Sequence, residues 1–158
     1  ISACLVGSEM CIRDRDWIEP TLMRMILDSG RISAIEYHRA LLARSALYTA
    51  VRQFFDTYDL LLTPQMPVAA WSVEAGADEG VKEIDGRLTP SMFDRLPFMY
   101  PFNLTGYPAA SVPCGFTRDG LPVGLQIVGR WHADAQVLRA AACFEAAQPW
   151  AQHRPPLD

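Results

Sequence analysis

The stretch PFNLTGYPAASVPCGFTRDGLPVGLQIVGR, residues 101–130, constrains the fold of this chain more than any other. It is almost free of charge, and its two short apolar runs, 109–112 and 125–128, are bounded by Pro and Gly. Runs of that length and composition predict strands covered on both faces. Arg118-Asp119-Gly120 between them supplies a turn, because the Asp119 carboxylate can bond nearby backbone and Gly120 tolerates positive φ. Two strands so close in sequence form an antiparallel hairpin, with Pro113 and Pro122 placed at strand ends, where a missing N–H costs the ladder nothing.

Helical spacing dominates upstream. Asp16 suits an N-cap, with Glu19 three residues on and Pro20 in the first turn. Leu22, Met23, Ile26 and Leu27 then repeat on one face until Gly30 stops the helix. Ser33 and Glu36 repeat the capping-box spacing and open a second helix running to about Tyr58. Its apolar stripe includes Ile35, Leu42, Leu47, Val51 and Phe55, with Glu36, Arg39, Arg44 and Arg52 on the wet side. Residues 60–63 read as a short buried strand ended by Pro64, and residues 64–91 as an irregular loop. Thr89-Pro90 leads into a helix over residues 92–100, and residues 133–147 form a last helix with Val137, Leu138, Ala141 and Phe144 on its apolar face.

Composition narrows the functional classes. The net charge is −4, with 13 Arg and one Lys scattered along the chain, so nothing favours nucleic acid or an anionic membrane as partner. No apolar run approaches the roughly 20 residues that span a bilayer. Cys4, Cys11, Cys114 and Cys143 lack CxxC pairing and His spacing, which predicts free thiols in a cytoplasmic protein and no metal site.

Three motifs in order, YDLLLTPQMP (58–67), NLTGYPAASVPCGF (103–116) and GLPVGLQIVG (120–129), resemble the C-terminal part of the amidase-signature enzymes. The likeness extends over residues 17–157. It implies an α/β fold with helices packed on a mixed β-sheet, here as an incomplete domain over residues 16–158. Residues 1–15, ISACLVGSEMCIRDR, resemble an adapter-like, non-native leader and are set aside from fold reasoning. A genuine N-terminal arm is the alternative.

The resemblance also implies an activity: cleavage of carboxamide C–N bonds by a Ser, a second Ser in a cis peptide and a Lys base, without cofactor. None of the three can be placed on this sequence. The one lysine, Lys82, stands among Glu79, Glu83 and Asp85, which favour its charged form and not a base. The chain is therefore expected to lack catalytic groups, to be inactive alone, and to self-associate through open apolar faces. Its expected partners are the N-terminal part of its own polypeptide and a small amide substrate. The amidase component of a tRNA-dependent amidotransferase and a non-catalytic scaffold are the alternative readings.

Residues implied by the resemblance to line the acyl-side pocket lie around 66–71 and 98–102, including Met66, Trp71 and Phe98. Thr63 closes a strand that faces a cleft. Asn103 either pins its loop by bonding backbone or stands near the reacting centre. Core packing explains the aromatic residues equally well. Ser111 is expected to be a buried, hydrogen-bonded hydroxyl, Cys114 a small buried thiol and not a nucleophile, and Gln126 a structural residue in need of a partner. His38, His132 and His153 are too separated for a metal site.

Overall fold

The computed structural model describes residues 17–18, 20–75 and 80–154. The chain divides into two compact units, Ile1–Leu41 and Leu42–Asp158. The first holds helix α1 (Pro20–Ser29) and the start of helix α2 (Ala34–Phe55). Pro20 stands at the first position of α1, where its missing N–H is an orphan in any helix. The expected cap at Asp16 and Glu19 lies outside the described residues. Ser33 and Glu36 do form a capping box: the Ser33 N–H donates to Glu36 Oε2 at 2.8 Å, and the Glu36 N–H returns to Ser33 Oγ at 3.2 Å. The Ser33 hydroxyl, then its N–H, hold the Glu36 carboxyl below its usual range.

The stripe on α2 is covered only towards its C-terminal end. Ile35 and Leu42 are exposed, whereas Val51 and Phe54 are half-buried and Phe55 is buried. Helix α2 ends at Phe55, a turn earlier than its spacing predicts.

In the second unit, β1 (Leu60–Pro64), β4 (Ala109–Phe116) and β5 (Pro122–Gly129) form one sheet in the order β1-β5-β4. Both pairings are antiparallel, so the parallel component of a mixed sheet does not lie among these three strands. The hairpin turn is closed by Thr117, whose Oγ1 accepts the Leu121 N–H at 3.0 Å, the task expected of Asp119. Gly120 has φ of 81°, as the turn requires.

Pro113 departs from expectation by sitting inside β4. It falls where the register shifts between Pro113 and Gly115, on a strand that among the described residues pairs on one side only, so no ladder bond is lost. Strand β1 is likewise an edge and not fully buried: Leu62 is 57% exposed. Ser111, expected to be buried, is exposed on the other edge.

Alternation along β5 assigns the two faces of the sheet. Ile127 and Leu125 point to helix α5 (Asp134–Ala147), where they form a core with Val112, Val137 and Phe144. Leu138 is on the wet side of that helix, against expectation. Gly129 makes this packing close, because a Cβ there would stand 2.5 Å from Val137 Cγ2. Val128 points the other way, into a second core with Phe55, Phe102 and Tyr107. Tyr107 stacks on Phe55 at 5.3 Å, and burial, then the neighbouring Tyr48, push its hydroxyl above the usual range. The unit is thus helix, sheet, helix, as an α/β layer requires.

The segment between β1 and β4 is more ordered than its composition predicts. Asp85-Gly86 turns a two-stranded ribbon, β2 (Glu83–Ile84) with β3 (Arg87–Leu88). Ser91, not Thr89, caps the next helix through a capping box with Asp94, and the helix stops at once. The predicted helix over 92–100 is two short ones, α3 (Met92–Arg95) and α4 (Tyr100–Thr105). Thr89 is buried, and its hydroxyl donates to the Val81 carbonyl.

Candidate functional site

Two clefts open on the Val128 face of the sheet. The first, about 530 Å³, has residues 65–71 as one wall and residues 122–124 as the other. The wall forms because Pro64 ends β1 and the chain bends over residues 65–68, while the Gln65 N–H still pairs with the Gly124 carbonyl at 2.9 Å. Glycine is required at 124 by space: a Cβ there would lie 2.9 Å from Gln65 Cβ and 3.0 Å from Ser111 Oγ. Trp71 is held in turn by Gly80, whose Cβ would fall 2.8 Å from the indole. Among the described residues, none lining this cleft carries a charge.

The second cleft, about 400 Å³, is more polar. Asn103, Gln126, His132 and Asp134 contribute to it, beside Met99, Phe102 and the backbone about Gly106. Gly106 ends α4 with φ of 74°, and its N–H caps the Phe102 carbonyl. Among the described residues no cluster of His, Cys, Asp or Glu could hold a metal ion.

The five residues singled out from sequence are divided by this geometry. Met66 and Trp71 line the first cleft. Asn103 lines the second and belongs to helix α4 instead of a loop. Thr63 and Phe98 line neither cleft, yet one side chain joins them. Gln126 Nε2 donates to Thr63 Oγ1 at 3.0 Å and to the Phe98 carbonyl at 2.7 Å. Gln126 is 4% exposed, so the partner that its burial demands is supplied twice.

Gln65 lies in the cleft-facing loop 63–67 that the sequence points to, whereas sequence reasoning passed over Gly124 and Gly80, for which glycines inside or beside apolar runs were the available signals. The Cys114 thiol is half-buried and donates weakly to the Val123 carbonyl at 3.4 Å, and Cys143 is a second free thiol. Lys82 lies on the exposed approach to β2.

Comparison with known proteins places this geometry. The family model described as Amidase matches residues 12–138. The acylamidase of Rhodococcus erythropolis is 36% identical over 141 residues, which cover 89% of this chain and 29% of the relative. The glutamyl-tRNA(Gln) amidotransferase A-subunit of Symbiobacterium thermophilum is 36% identical over 132 residues, covering 84% of this chain and 25% of that protein. Among solved structures, a bacterial aryl acylamidase of the amidase-signature enzymes superposes with a TM-score of 0.74 at 32% identity, over 98% of this chain and 33% of the other. The chain thus spans about a third or less of the length of these relatives. In its hairpin, its layered α/β architecture and its matched residues, the chain belongs to the amidase family.

Proposed function

We propose that this chain forms the acyl-side wall of an enzyme that cleaves carboxamide C–N bonds by acyl transfer. The observation that carries the reading is the first cleft: concave, walled by Met66 and Trp71, and without a charged lining residue among those described. Such a wall accepts an apolar acyl group and offers no counter-charge to the ammonium and carboxylate of glutamine. It therefore favours apolar acyl amides over the amidotransferase reading, which rests on the likeness to the Symbiobacterium protein. A non-catalytic scaffold is the bland alternative.

In this reading the reacting groups lie on polypeptide outside these 158 residues. A serine oxygen bonds to the amide carbon, the C–N bond breaks, and the serine proton passes by way of a lysine to the leaving amine. Water then attacks the acyl-enzyme and restores the hydroxyl, while backbone N–H groups hold the oxyanion in both steps. The N-terminal part of the same polypeptide is the first partner and a small amide the substrate. Asn103 in the second cleft borders the amine side, and Thr63 and Phe98 set the cleft wall from behind. The free thiols Cys114 and Cys143 suit the cytoplasm.

The test is a chimera. The matching part of the Rhodococcus acylamidase is replaced by this chain, and hydrolysis of apolar and charged amides is measured. Turnover of apolar amides is expected, with KM raised at least about tenfold by Trp71→Ala. A folded chimera that turns over no amide, or that prefers glutamine, overturns the reading.

A further inference from the structure

Gln126 is the most deeply placed polar side chain described on the Val128 face of the sheet, and the first cleft begins two residues away on the same face. Gly124, which lines that cleft, is one strand repeat from Gln126, about 6.7 Å along β5. Gln126 itself lines the second cleft. It thus stands on the partition between an uncharged cleft and a polar one.

Its orientation is fixed by chemistry. The Phe98 carbonyl can only accept, so the amide must present Nε2 there. The second hydrogen of Nε2 goes to Thr63 Oγ1. Both bonds are made by a buried group, where an unmade bond carries a full desolvation penalty. Thr63 is on the edge strand β1, two residues before Gln65 in the cleft wall. Phe98 is in the turn between α3 and α4, one residue before Met99 of the second cleft. Neither segment pairs with the other in the sheet.

We infer that Gln126 is a positioning residue, which clamps the edge strand and the α3–α4 turn together and so holds the first cleft in its binding shape. The inference rests on the acyl-pocket reading above. It assigns Gln126 no contact with substrate; its effect passes through Thr63 and the wall that follows it.

The experiment uses the acylamidase chimera described above and benzamide, with binding read as the KM for hydrolysis and a melting curve taken for each variant. The unsubstituted chimera is expected to turn over benzamide. Q126L keeps the volume and removes both bonds, and T63V removes one acceptor; each is expected to weaken binding about tenfold, with T63S restoring it. Q126E is expected to bind weakly at neutral pH, where its carboxylate faces the Phe98 carbonyl, and to recover on acidification as the buried acid regains a proton to donate. A merely structural residue would lower the melting temperature in these variants with no matching rise in KM. If Q126L unfolds the hairpin, T63V on the half-exposed edge strand decides the matter. Wild-type binding left unchanged in T63V or a folded Q126L overturns the clamp and leaves the pocket reading standing. A folded chimera that turns over no benzamide overturns both.

Discussion

Strand β5 is two environments in eight residues. From Gln126 to Gly129 every residue is buried, with Ile127 in the α5 core and Val128 in the Phe55–Tyr107 core. From Pro122 to Gly124 the same strand is open or half-open and lines the uncharged cleft. One end is packed from both faces, and the other leaves room for a ligand. The contrast teaches that a single hydrogen-bonded ladder can anchor a fold and present a site, provided that the covering helices stop short of one end. Here α5 and the end of α2 cover the first part, and the polar Gln126 marks the boundary.

The sharpest way to break this comparison is to truncate both ends alike. Ile127→Ala removes a side chain 2% exposed and is expected to destabilise the chain by about 2–5 kcal/mol. Val123→Ala, at a residue 39% exposed, is expected to cost under about 1 kcal/mol. Urea melts of the two variants decide it, and equal midpoint shifts would erase the distinction between the ends. Gly124→Ala comes next. Its methyl must push Gln65 and Ser111 apart, an overpacking worth about 1–3 kcal/mol, and amide binding should fall by more than the melt shift implies because the cleft floor rises. Binding at wild-type strength would show that Gly124 does not bound the ligand space.

The smallest effect concerns ionisation at the buried end. Because the folded state holds the Tyr107 proton more tightly than the unfolded chain, its contribution is fully present below about pH 10 and is lost as pH rises through the higher folded value. Tyr107→Phe should therefore flatten the alkaline fall in melting temperature, measured across that window. An identical alkaline fall in both proteins would assign it to other groups.

The hairpin, the Ser33 cap and α5 were legible in the sequence because each is decided by neighbours in the chain: apolar runs about a Gly turn, a hydroxyl and a carboxylate three apart, a block of strong helix formers. The Asp85-Gly86 ribbon and the Ser91–Asp94 capping box were equally local signals, obscured by a segment of mixed composition. Exposure was harder to read. Ser111, Leu62 and Leu138 were assigned by strand or helix period, but whether a face is covered depends on which strand is an edge and how far a helix reaches. Pro113 illustrates the same point, since its place inside β4 depends on a bulge that no local pattern announces. The division of Thr63, Met66, Trp71, Phe98 and Asn103 between two clefts and one clamp is tertiary throughout. It turns on Gln126, whose need for partners was visible and whose partners were not.

Gly129 carries a consequence for how this protein tolerates change. Its backbone needs no left-handed turn, so nothing local forbids another residue, yet the nearest atom of α5 occupies the space that any side chain would need. Gly115, with nothing within 4 Å of its absent Cβ, is the opposite case. In a saturation library, position 129 should accept no replacement and position 115 many. The distance between helix and sheet is written at one atom that is not there.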